Sequence, residues 1–238
     1  MNSPRIVAKY TDPTVSRREI TTPKAEETRE RIVDAALTLF REKGFDETTM
    51  RDIAAAAEVA TGAAYYYFRS KEELVMAFYA RTAEEARTLL PPAIERSKDL
   101  RKRLRAVIEM TFEQFAEHRR LLIGIVRIGI DPEHPLSPFG QETQAMRDES
   151  IGTFRMALEG STTRIPKDLH DDLPALLWMY QLALILFWMY DKSRGQRRTK
   201  LLLDGTLDLI VRLIQIASLP LMGPMRKKLV ALLRAIEE

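Results

Sequence analysis

The 238-residue sequence contains no cysteine, which excludes disulfides, thiol nucleophiles, cysteine-ligated zinc and iron–sulfur clusters together. Histidine is scarce as well. His118, His134 and His170 stand far apart, with no pair at i, i+3 or i+4 to share a helix face, so no metal site is expected. The ten glycines never gather into a phosphate-cradling loop, and neither a nucleophile elbow nor a usable pair of carboxylates is present. These absences argue against an enzyme, and no cofactor is expected. The amino terminus lacks the apolar stretch of a signal peptide. With 45% hydrophobic and 30% charged residues the composition is ordinary for a cytoplasmic globular protein.

Long apolar runs are also lacking, with one exception. LPALLWMYQLALILFWMY, residues 173–190, is about long enough to span a bilayer. Pro174 and Gln181 interrupt it, Asp171 and Asp172 precede it, and nothing else in the chain resembles it. A helix apolar on all sides is otherwise buried on all sides, in part against a second subunit, and that is the expectation here rather than a membrane span. The net charge of +3 is mild but uneven. Residues 1–25 carry five basic against two acidic side chains, among them Arg5, Lys9, Arg17, Arg18 and Lys24, and read as a flexible basic arm. Residues 26–80 carry seven against eleven.

What is present in quantity is helical period. Beyond residue 25 apolar residues recur at three- and four-residue intervals and no convincing strand interrupts them, so the fold is expected to be all-α. The pattern predicts a first helix over 26–43, with Ile32, Ala35, Ala36, Leu39 and Phe40 on one face and Gly44 as its stop. A second over 49–57, capped by Thr48 or Thr49, turns Met50, Ile53, Ala54 and Ala57 inward, and a third covers 61–68. Ser70 with Glu73 reads as a capping box opening a fourth, which Pro91 and Pro92 should end or kink. Further helices are predicted over 99–117, 119–130, 138–159, 172–190 and 198–218, with a short one after Pro224; DPEHPLSP at 131–138 is the clearest loop. The chain thereby divides into an arm (1–25), a helical head (26–70) and a larger helical body (71–238).

Two short helices joined by a tight turn have the spacing of a helix-turn-helix. Ile53, Ala54, Ala57, Val59, Ala64 and Tyr67 would form its internal contacts, the alanines allowing two short helices to cross closely. Such a unit lays its second helix in the major groove of DNA with the first turn near base edges; an ordinary helical hairpin has the same outline. The longer stretch RIVDAALTLFREKGFDETTMRDIAAAAEVATGAAYYYFRSKEEL is more specific. It holds an amphipathic helix ending in Gly-Phe, Thr-Thr opening the next helix, Ile-Ala within it, Gly62 and Tyr65 in the third, then Tyr-Phe, Ser-Lys-Glu and Leu74. From residue 26 to about 79 this pattern resembles the head of the TetR family of bacterial transcription regulators. The resemblance implies a head that binds double-stranded operator DNA, and a body that binds a small-molecule effector and forms a homodimer.

It also implies roles for single residues. Tyr67 and Phe68 match a Tyr-Phe step that packs the third helix onto the head. Tyr65 matches a tyrosine whose hydroxyl reaches a phosphate, and Tyr66 stands where a similar contact is made. Thr49 and Lys71 match phosphate contacts at the starts of helices. The base-reading face would be Thr61, Ala63 and Tyr65, with Ala60 close to the turn. Family members often have threonine in place of Ala63 and serine in place of Ala60, so two polar contacts are missing, although alanine can touch a thymine methyl. Glu58 occupies a turn position where the family often has glycine; a left-handed non-glycine residue there costs about 1–2 kcal/mol.

Beyond residue 90 the resemblance rests on helix count and order. The helices at 172–190 and 198–218 look like the last pair of many family members, which build a four-helix bundle across a twofold axis. Leu176, Trp178, Met179, Leu182, Ile185, Leu186 and Met189 surround the first completely, so one side needs a partner. Leu202, Leu209, Leu213 and Ile216 make a matching stripe, and Ala183 and Gly205 allow close approach. Candidate pocket residues are Met110, Phe112, Phe115, Ile123, Arg127, Met146, Phe154 and Trp178. Arg127, inside the apolar run LLIGIVRIGI, is either partly buried and paired with a carboxylate or a ligand anion, or set on an exposed edge of its helix. Such a pocket suits a lipophilic or amphipathic effector. The expected function is a repressor that this effector releases from a palindromic operator; an effector-independent or architectural DNA-binding protein is the alternative.

Overall fold

The computed structural model describes residues 22–237, so the expectations for most of the basic arm lie outside the described residues. Helix α1 (Pro23–Glu42) begins before the predicted position because Thr22 caps it and Pro23 fills the first turn, where a missing N–H costs nothing. Gly44, at φ +98, carries the chain away from its end. Helix α2 (Met50–Ala56) opens with a reciprocal box: the Thr49 hydroxyl accepts from the Asp52 N–H while the Asp52 carboxylate accepts from the Thr49 N–H. It closes with Glu58 left-handed at φ 55, the Val59 N–H donating to the Ala54 carbonyl and the Glu58 N–H to that of Ala55, which is a Schellman closure. Helix α3 (Thr61–Tyr67) follows at once.

Helix α4 (Lys71–Glu95) departs from expectation at both ends. The Ser70 hydroxyl accepts from the Glu73 N–H, but the Glu73 carboxylate bonds the N–H of Arg69 rather than that of Ser70. Pro91 and Pro92 do not end the helix. Buried Leu90 and Ile94, with a bond from Arg103 to the Ile94 carbonyl, hold its last turn in place.

The body continues with α5 (Leu100–Phe115), a 3-10 turn at Ala116–His118, α6 (Arg119–Gly129), α7 (Gln144–Glu159), α8 (Leu173–Tyr190), α9 (Arg197–Ala217) and α10 (Gly223–Glu237), and no strand occurs among the described residues. Helix α7 starts later than predicted because residues 138–143 wind into turns. The Thr143 hydroxyl bonds the Ser137 carbonyl, and Arg147 bonds those of Pro138 and Gly140.

Two apolar cores result. The first joins Ile32, Phe40, Ile53 and Phe68 of the head to Leu74 of α4, Leu121 and Ile125 of α6 and Trp188 of α8, so packing runs unbroken from head to body. The second gathers Ile94, Leu104, Ile108, Phe154, Leu177, Leu203 and Leu207. Helix α8 has the length and composition to cross a membrane, yet 44% of that span is buried inside the protein.

Candidate DNA interface, effector cavity and subunit face

In a helix as short as α3, inward and outward residues must alternate within two turns. Ala64 is fully buried, which lets α3 approach α2, and Phe68 is buried just beyond it. Tyr67 packs half-buried on the first core with its ring edge-on to Tyr66 at 5.3 Å. Tyr65 and Tyr66 are 50% and 57% exposed. With exposed Ala60 and Thr61 and half-exposed Ala63 they make up the outer side of the helix.

Thr49 and Lys71 are at helix starts, but each is already engaged. The Thr49 hydroxyl donates to Asp52 Oδ2 at 2.8 Å, which leaves a carboxylate beside the amino end of α2. The side-chain and backbone bonds from Thr49 hold that carboxyl below its ordinary range. Lys71 Nζ donates to the Phe45 carbonyl at 2.6 Å and lies 4.4 Å from the centroid of the Phe45 ring, tying the start of α4 to the turn before α2.

A cavity of about 680 Å³ lies among α4, α5, α6, α7 and α8. Of the residues proposed from the sequence, Met110, Phe115, Met146 and Trp178 line it, whereas Phe112, Ile123, Arg127 and Phe154 do not. Phe112 stacks on Trp188 at 5.5 Å, Ile123 packs on the first core, and Phe154 is wholly buried in the second. Arg127 is exposed. It falls two residues after buried Ile125, on the opposite side of α6, so it is no buried cation awaiting an anion.

The cation on the cavity wall is Arg147, half-buried, with Nη1 donating to the Pro138 and Gly140 carbonyls at 3.0 and 3.1 Å. Arg87, also on the wall, is paired with Glu149 at 2.6 and 2.9 Å. Tyr79, Gln114 and Gln181, which the sequence reading missed, line the same space together with the hydroxyl residues Thr82, Thr111, Thr143, Ser150 and Thr153. Burial pushes the Tyr79 phenol above its ordinary pKa. Gln114 Nε2 donates to the Thr82 carbonyl at 2.8 Å. Gln181 is only 6% exposed, and its Oε1 has no hydrogen-bond partner among the described residues, an arrangement that costs about 1–3 kcal/mol. Its signal was visible as the lone amide in an eighteen-residue apolar run.

The outer sides of α8 and α9 carry an apolar stripe of Met179, Leu186, Phe187 and Tyr190 with Leu201, Leu209, Leu213 and Ile216, each 41–63% exposed. Ala183 and Gly205 lie exposed within it. Leu202, expected in this stripe, instead packs on the second core, and Leu201 takes the outward position.

The sequence profile of bacterial regulatory proteins of the tetR family matches residues 32–78, and that of the tetracyclin repressor-like C-terminal domain matches residues 103–229. The HTH-type transcriptional regulator UidR of Escherichia coli (strain K12) is 30% identical over 107 residues, or 45% of this chain and 54% of that protein. The HTH-type nicotine-responsive transcriptional repressor HdnoR of Paenarthrobacter nicotinovorans is 26% identical over 110 residues, or 44% and 57%. The chain thus spans about half the length of the curated relatives it matches. A crystal structure of a tetR-family transcriptional regulator from Streptomyces coelicolor shares the fold, with a TM-score of 0.61 and 21% identity over 87% of this chain and 89% of that one. With both its head and most of its body matched, the chain belongs to the tetR family of bacterial regulatory proteins.

Proposed function

We propose that the protein is a homodimeric repressor that an apolar or amphipathic small molecule releases from a palindromic operator. The observation that carries this reading is that α6 borders both the cavity and the head. Leu122, Ile125 and Val126 line the cavity. Gly124 lies against Phe45 so closely that a Cβ there would be 3.2 Å from the Phe45 Cβ, and Arg120 bonds the Glu42 carbonyl at the end of α1. A ligand that favours one placement of α6 therefore acts on the support of α2 and α3. It releases DNA only by binding the DNA-incompetent arrangement more tightly than the competent one. The similarity to HdnoR, a nicotine-responsive repressor, supports a ligand-responsive role.

In this reading the α8–α9 stripe pairs two subunits, and Tyr65, Tyr66, Thr61, Ala63 and Ala60 face the groove and its phosphates. The test is selection of bound sequences from random DNA with the full-length protein. A pseudo-palindromic site is expected, with half-site centres about one helical turn or a few base pairs more apart. Recovery of only asymmetric or non-repeating sites would refute the reading.

A further inference from the structure

We infer that the cavity selects an apolar molecule bearing one neutral hydrogen-bonding group (a hydroxyl, carbonyl or amide) and that Gln181 is the residue that reads this group; the inference rests on the effector role proposed above. Most of the wall is aliphatic or aromatic, with Met110, Phe115, Leu122, Ile125, Trp178 and Ile185 among its residues. Gln181 interrupts it in the middle of α8, nearly sealed from solvent, with its Oε1 buried and without a hydrogen-bond partner among the described residues. A primary amide offers both donor and acceptor, so it serves a hydroxyl, carbonyl or amide equally well.

The charged groups of the wall make no comparable demand. Arg87 and Glu149 satisfy one another, and Arg147 already bonds two carbonyls. A carboxylate seated at Gln181 would exchange its hydration for one neutral amide, and a quaternary ammonium would meet no carboxylate that is not already paired. Tyr79, whose ordinary pKa already leaves the phenol neutral and is pushed further up by burial, and Gln114 add further neutral groups to the same lining.

The experiment uses the full-length protein, diphenylhexatriene as a hydrocarbon reporter with no hydrogen-bonding group, and three ten-carbon probes: 1-decanol, decanoate and decyltrimethylammonium. Displacement of the dye and the thermal shift are read for wild type, Gln181→Leu and Gln181→Met, the second substitution covering misfolding of the first. Expected is preferential binding of 1-decanol by wild type, weakened about tenfold in both variants while binding of the hydrocarbon dye persists. The ligand-free variants should also melt higher than wild type, because an unpaired buried amide is gone. Unchanged 1-decanol affinity in both variants would overturn the inference. So would tighter binding of decanoate that disappears in Arg147→Ala. Gly152→Phe separates the two levels of the argument, since Gly152 lines the cavity and a Cβ there meets nothing within 4 Å. Dye binding that is absent in wild type, or unaffected by Gly152→Phe, would overturn the effector role and this inference together.

Discussion

Glu58 holds a left-handed conformation at which glycine would be unstrained, and it does so next to the surface proposed to meet DNA. Glu58→Gly relieves about 1–2 kcal/mol of backbone strain and forfeits about 0.4–1 kcal/mol through a freer unfolded chain. The net is stabilising, with a rise in melting temperature of about 1–3 °C expected in thermal denaturation. Asp52 poses a different conflict. Its carboxylate completes the cap of α2, yet stands where a phosphate would approach the helix end. Asp52→Asn keeps an acceptor for the cap and removes a charge, so operator affinity should rise severalfold at low salt and less at high salt. An unchanged or lower affinity in a salt titration would show that α2 does not approach the backbone. The turn at Glu58 was legible in the sequence through the family resemblance, whereas the Asp52 box was not, since the pattern left the cap of α2 open between Thr48 and Thr49. The outward pair Tyr65 and Tyr66 was legible too, through the same resemblance. Arg127 was not, because an arginine among apolar residues is buried or exposed according to where its helix packs.

At the scale of helices the least legible feature is the clamp around Arg103. This guanidinium is 3% exposed and donates to the carbonyls of Ile94 and Ser97 at 2.7 and 3.1 Å and of Met156 and Ala157 at 2.9 and 2.7 Å. It thereby binds carbonyls at and just beyond the carboxyl ends of α4 and α7, where helices have fewer backbone donors to offer. Period and capping residues announced both helices, but their ends are fixed by a cation from α5 that local sequence does not mention. The same kind of contact explains the late start of α7, where Thr143 and Arg147 satisfy loop carbonyls. Gly160 makes room for the clamp, since a Cβ there would lie 1.8 Å from Arg103 Nη2. Gly160→Ala must displace a buried guanidinium and should cost about 2–4 kcal/mol in chemical denaturation. Gly152→Ala in the same helix, with open space around its Cβ, should be stabilising by up to about 1 kcal/mol.

For the whole molecule, the consequence of an unbroken core is that the head has no independent footing. His118 marks the junction. Its ring lies 4.5 Å from that of Phe78, and its Nδ1 is buried without a hydrogen-bond partner among the described residues. Burial first, and then the charge of Arg41, lower its pKa from the ordinary 6.5. A depressed pKa means that the unfolded chain binds the proton more readily. The stability contributed by neutral His118 is therefore full above about pH 6.5 and declines as pH falls below it. Melting temperatures should drop between pH 7.5 and 5.5, and His118→Phe should flatten that dependence.

The same junction locates the transmission from cavity to DNA. Gly124→Ala would force α6 and the Phe45 turn apart by a few tenths of an ångström, because the added carbon lies 3.2 Å from the Phe45 Cβ. The cavity side of α6 carries Leu122, Ile125 and Val126 and is not touched by this change. Operator affinity should therefore fall while diphenylhexatriene uptake into the cavity is retained, as measured by titrating the same preparation with DNA and with dye. Loss of both together would mean general damage to the fold, and loss of neither would remove α6 from the path between the two sites.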